Sequence, residues 1–540
     1  MLFRSPAEAA QAYLDLNGNK LIISGGASAL VCENTSTYAP KIKFINVAGI
    51  DCSDGAVIYE SVFANSSAPM ALGGVLTTVG RGGGGVQVNF EGDVTVAAGA
   101  VVRNESGYRS GIGITGSLVN NGSVTSQPGG IAVEVKKNLI QNGEYTAIST
   151  TFSGSAAQSI SIGASKKISG TVYIANTINK AGAIKALSDL TVENIVFAAV
   201  PGDTTITGVV DMNGYKLRVL GGATALVCDD TSNHAPRIEF TNIAGIDCAD
   251  GAVIYESTFA NATAPVEITG SLTTVGRGSG GVQVNFKSGV TVASGAVIKN
   301  ESGYRSGIGI TGSLVNNGSV TSQPGGIAVE LGGNLTQNGE YSAISTAFKG
   351  SGEQSVSMAA SKKIPGNIYI ANAAGGGAIK ALTDIAVENV TISAAPGDTT
   401  SQSTVNMNGY KLFLLGGANA LICDDTSNHA PRVKFTNIAG ITGSLLAEDP
   451  DPAKTVHPMI WESVFENASS PILVSGRLRT VGRGAGGVQV TFNGSVTVAA
   501  GAKWSNEPGY RSGVTVTGAF ANSGTVQGDS AGLYINGVKY

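Results

Sequence analysis

The sequence predicts an all-β chain: a single-stranded parallel β-helix (a β-solenoid), right-handed, built from about 2.75 copies of a ~195-residue repeat. Three observations predict it. The composition suits short strands and tight turns, long stretches recur at a fixed spacing, and a shorter alternation runs inside each recurrence.

Composition comes first. The chain has 540 residues, of which 13% are charged. That is roughly half the usual share for a soluble domain, and the 76 glycines are about twice theirs. Asn, Ser, Thr, Val and Ile supply most of the remainder, the residues of strands and turns. Hydrophobic residues at 42% and a net charge of only −4 exclude a disordered chain. Glycine follows no triplet, which excludes collagen. No basic stripe is present to neutralise a phosphate backbone, so no nucleic-acid partner is expected. No apolar run approaches the roughly 18 residues of a membrane-spanning helix, so no transmembrane segment is expected.

The long repeat is the strongest signal. Leu16-Asn17-Gly18-Asn19-Lys20-Leu21 returns as Met212-Asn213-Gly214-Tyr215-Lys216-Leu217 and again as Met407-Asn408-Gly409-Tyr410-Lys411-Leu412. Asn104 to Glu134 is identical to Asn300 to Glu330. These offsets divide the chain into an N-terminal piece (1–14), repeat 1 (15–210), repeat 2 (211–405) and a partial, divergent repeat 3 (406–540). Repeat 3 carries an acidic, proline-containing insertion near 443–457. Met1 to Ser5 read like the translation of a sequencing-adapter end. The chain is therefore expected to be a fragment of a longer array from a metagenomic contig, or an array with a divergent C-terminal copy, with signal peptide and anchor outside it.

Within each repeat, segments such as Val86-Gln87-Val88-Asn89-Phe90 and Ile131-Ala132-Val133-Glu134-Val135 alternate apolar with polar residues. Period two places one side inside and the other in water. Asn-Gly and Gly-Gly pairs punctuate these segments. Cys32 and Cys52 are 20 apart, and Ile114 and Val133 are 19 apart, so one coil is expected per ~20 residues, each strand pairing with its equivalent one turn on.

That coil length puts Cys32 with Cys52, and Cys228 with Cys248, in one column on adjacent coils. A disulfide is within reach there. Repeat 3 keeps Cys423 but has Gly443 in the partner's place, so buried free thiols packed as small hydrophobes are the favoured reading.

Motifs that could carry chemistry are few. Arg81, Arg277 and Arg483 each open a glycine-rich stretch that runs into a strand. A phosphate-cradling loop instead opens a helix and carries Lys-Ser/Thr, so a turn with an exposed arginine is expected. Asp229-Asp230 with His234 recur as Asp424-Asp425 with His429, but repeat 1 has Glu33-Asn34 and Tyr38. A metal site would need its ligands in every copy, so none is expected, nor any cofactor. Gly528-Asp529-Ser530-Ala531-Gly532 has the letters of a nucleophile elbow without the helix, acid or histidine that must follow. Pectin-degrading β-helix enzymes use clustered aspartates. The paired aspartates here match only the middle element of the polygalacturonase pattern, and no Gly-His-Gly occurs. No catalytic residue is expected, and a β-helix polysaccharide lyase or glycoside hydrolase is the alternative.

One motif persists in all three copies. Gly107-Tyr108-Arg109-Ser110-Gly111 returns with Tyr304-Arg305 and Tyr510-Arg511. An aromatic beside an arginine on a turn can stack on a sugar or anchor a partner protein, so Tyr108, Arg109, Tyr304, Arg305, Tyr510 and Arg511, with Arg81, Arg277 and Arg483, are the candidate contact residues.

Phe152-Ser153-Gly154-Ser155-Ala156-Ala157-Gln158-Ser159-Ile160-Ser161, its copy Phe348 to Met358, and the strand Ala186 to Val192 resemble a pattern in large secreted bacterial repeat proteins. These are autotransporter passengers and filamentous-haemagglutinin-like adhesins. The resemblance implies a non-enzymatic, extracellular structural or adhesive solenoid of a bacterial cell surface, with host or matrix glycans or proteins as partners. A self-assembling fibre or sheath component, associating end to end, is a further alternative.

Overall fold

A computed structural model of the chain describes residues 12–32, 40, 42–80, 86–176, 184–198, 208–221, 226–228, 238–276, 282–372, 379–393, 403–415, 421–423, 433–443, 458–481 and 490–540. The described residues contain strands and no helix. They form a β-solenoid, as the alternation predicts, in two compact units: Met1–Val266 with Gly270–Leu272, and Glu267–Thr269 with Thr273–Tyr540. The same architecture appears in each.

In the first unit a coil is three short strands with turns between them. Val88–Glu91, Val94–Val96 and Val101–Asn104 make one coil, and Ser110–Ile114, Leu118–Asn120 and Ser123–Thr125 the next. Each strand pairs in parallel with its counterpart. Val88 faces Ile112, Val94 faces Leu118, and Val102 faces Val124. Alternate residues turn inward, so these pairings become continuous interior columns. One runs Val94, Leu118, Leu139, Ile160, and another runs Val102, Val124, Tyr145. All of these side chains are buried. Phe44, Phe63 and Phe90 form a third column, their ring centroids 5.2 and 5.7 Å apart and nearly parallel. Every ring added buries a large apolar surface and gains offset stacking on the one before it.

The second unit repeats the plan. Val290, Leu314 and Leu335 form the column equivalent to Val94, Leu118 and Leu139. Phe435, Phe465 and Phe492 stack at 5.4 and 5.3 Å. Its last strands depart from the pattern. Leu533–Ile535 pairs antiparallel with Val538–Lys539 through Asn536 (φ 51°) and Gly537 (φ 81°), a two-residue turn with both centres left-handed that matches strand twist.

Coil length corrects the expectation of 20 residues. In the first unit the pairs Val88–Ile112, Ser110–Ile131, Ala132–Ser149, Ser149–Thr171 and Leu190–Leu217 are 24, 21, 17, 22 and 27 residues apart. In the second, Val284–Ile308, Ser306–Ile327, Ala328–Ser345, Ser345–Asn367 and Ile385–Leu412 give the same series. Ladder pairing specifies which strands stack, whereas the arcs between them are free to differ in length. What the long repeat preserves is that series of arcs.

The cysteines form no disulfide and are buried, but they do not lie in the expected columns. Cys52 stacks between Ile23 and Gly74, and Cys248 on Val219. Cys32 lies two residues past Leu30, which bridges Ile58. Burial pushes the Cys32 thiol up to about 11 and the Cys52 and Cys248 thiols up to about 12, so they stay protonated and act as small apolar groups.

Candidate functional site

The persistent Tyr-Arg motif lies on a turn between strands Val101–Asn104 and Ser110–Ile114. Asn104 builds that turn. It ends its strand at an inward position and is fully buried. Its Nδ2 donates to the backbone oxygens of Glu105 (2.9 Å) and Tyr108 (2.8 Å), which close the turn. It also reaches Gln127 O (3.3 Å) and Pro128 O (3.1 Å) on the next coil, and its Oδ1 accepts from Gln127 N at 2.7 Å. Gly107 N donates to Pro128 O at 2.7 Å. One buried amide thus clamps two adjacent turns together, with both its nitrogen and its oxygen partnered.

The clamp leaves the tips in water. Tyr108 is 54% exposed, and Arg109 beside it is exposed. Asn300 makes the same contacts to Glu301, Tyr304, Gln323 and Pro324, and Tyr304 is 53% exposed. Among the described residues neither Arg109 nor Arg305 forms an ion pair. The half-buried Glu105 and Glu301 therefore do not hold them.

The third copy reaches the same geometry by other chemistry. Ala531 stands where the first two copies have Gly129 and Gly325, and a Cβ at either glycine would overlap the backbone of the tyrosine turn. The carboxylate of Asp529 replaces the missing backbone contacts, accepting from Asn506 Nδ2 and Gly509 N, each at 2.6 Å. The Asn506 amide, followed by backbone donors, pulls the Asp529 carboxyl down to about 2. Tyr510 remains 57% exposed. Arg511 lies with its Cζ 4.2 Å from the centroid of the Tyr534 ring, within cation–π range. Tyr534 pairs with Gly513, a position held by Ala132 and Ala328 opposite Gly111 and Gly307. Among the described residues, the first two copies therefore present an arginine with no ring over it.

Of the sequence candidates, the structure joins each tyrosine to its neighbouring arginine on one turn. Arg81, Arg277 and Arg483 lie outside the described residues, as do Asp229 to His234, Asp424 to His429 and most of the insertion near 443–457. The asparagines that build the turns were not among the candidates. Their signal was present: Asn precedes Glu in every copy, at the inward phase of a strand where an apolar residue belongs. Among the described residues no group of three His, Cys, Asp or Glu could hold a metal ion, and no helix is long and apolar enough to cross a membrane. Comparison with known protein families, curated proteins and solved structures finds no match.

Proposed function

We propose that this chain is a non-enzymatic solenoid of a bacterial cell surface, and that it adheres to host or matrix partners through its Tyr-Arg turns. The observation that carries the proposal is the buried Asn104, Asn300 and Asn506 under each turn. A buried amide of this kind fixes the shape of a turn in every copy, as Asn65, Asn261 and Asn467 do at another turn. At the Tyr-Arg turn it holds an aromatic face and a guanidinium outward on a stiff support, which lowers the ordering cost of binding. Tyrosine and arginine are the side chains that most often dominate interfaces. Recurrence of the same turn supplies multivalency, so weak single contacts can sum to firm attachment.

The reading is tested with a chain in which Tyr108, Tyr304 and Tyr510 are all changed to Ala, assayed for attachment to host cells and to a glycan array beside the unaltered chain. All three positions are about half exposed, so the fold should persist, checked by circular dichroism. Loss of attachment is the expected result. Attachment at the unaltered level would refute the role of the turns.

A further inference from the structure

The second unit holds a partly open apolar pocket with about 40 Å³ of room for a guest. Ile364, Ile368, Ile370, Ile392, Val405 and Phe435 are among its walls, and every described lining residue is apolar. Its origin can be read from the repeat. In the first unit Phe197 pairs with Val172, and its ring meets Phe240 edge-on at 5.3 Å and 87°. The counterpart of Phe240 is Phe435, and the counterpart of Phe197 is Ile392, which pairs with Ile368 in the same rung. Two other wall positions change in opposite directions: Ile160 becomes Val356, and Val172 becomes Ile368. These offset each other. The aromatic ring is the large loss, and the backbone ladder above and below keeps the coil from collapsing into the space.

We infer that this cavity is a binding site for a single small apolar guest of about xenon size. Water needs two to four polar partners, and a dry apolar cavity of roughly 150 Å³ is what admits benzene. A space near 40 Å³ whose described walls are apolar therefore favours an atom or a very small hydrocarbon over an aromatic ring. The guest would regain the dispersion contacts that the walls lost with the phenyl ring.

The test uses the full chain under xenon pressure, read by ¹²⁹Xe NMR. A saturable shift is expected for the unaltered chain, with none for Ile392→Phe, in which the ring is restored. Phe197→Ile should open the equivalent space in the first unit and roughly double the saturable amplitude. If Ile392→Phe fails to fold, Ile392→Val serves instead: it enlarges the cavity and should bind xenon more tightly. A shift of the same size in unaltered chain and folded Ile392→Phe would overturn the inference. So would a saturable response to benzene in the unaltered chain.

Discussion

At the residue scale, the side chains that matter most are buried amides rather than exposed candidates. Asn104 shares its two N–H groups among four carbonyls and accepts from one amide. Changing it to Ala strands several of these groups in a dry place, so the Asn104→Ala chain should lose ~1–3 kcal/mol of stability. Urea unfolding would measure this, and amide exchange at Gly107 and Gln127 should quicken more than elsewhere. Asp529 predicts a pH effect with a definite sign. Its carboxyl is lowered from the ordinary 3.8 to about 2, so its contribution is present above the ordinary value and fades as pH falls through about 2. The urea midpoint should fall between pH 4 and 2, and Asp529→Asn should remove part of that fall. An identical decline in both chains would remove Asp529 from the account. Asparagine 104 was legible as an odd polar residue in an apolar phase, but not as a clamp. Its partners lie on the next coil, and the sequence does not reveal which residues stack until coil length is known.

At the scale of the element, strands were legible and arcs were not. Alternation in Ile131–Val135 follows directly from the pleat, and its burial pattern matches residue by residue. Coil length depends on the turns, whose lengths the strand ladders do not set, which is why spacings such as Cys32 to Cys52 misled. They measured distances along the chain between positions in different columns. Close approach of coils makes its own demand. A Cβ on Gly339 would overlap the carbonyl oxygen of Gly318, whereas one on Gly352 meets open space. Gly339→Ala should therefore cost roughly 1–3 kcal/mol by overpacking, and Gly352→Ala should stay within about 0.5 kcal/mol. Thermal unfolding of the two variants checks the contrast, which equal costs would contradict.

At the scale of the molecule, duplication explains the shared plan and drift explains the differences. Asn104 to Glu134 and Asn300 to Glu330 keep one sequence and one geometry. Elsewhere the copies diverge under the constraint that inward columns stay apolar. Exchange of Phe197 for Ile392 respects that constraint and still opens a cavity. Fold class was legible because it follows from periodicity, a property of the whole sequence. Function was less so, because an exposed tyrosine and arginine specify a kind of contact without naming a partner.

The central claim is that successive coils pair in parallel and in register. Val119 faces Ile140 across adjacent coils, and both are at least partly exposed. Placed there together, two cysteines fall at the ~4.8 Å strand spacing, within the Cα range of a disulfide. Mild oxidation of the Val119→Cys, Ile140→Cys chain should give a rapid, near-complete intramolecular cross-link, while the five native thiols are buried. Val119→Cys with Asn142→Cys, two residues out of register, should cross-link slowly or not at all. Equal rates, or a faster reaction in the second pair, would contradict the fold from which everything else is derived.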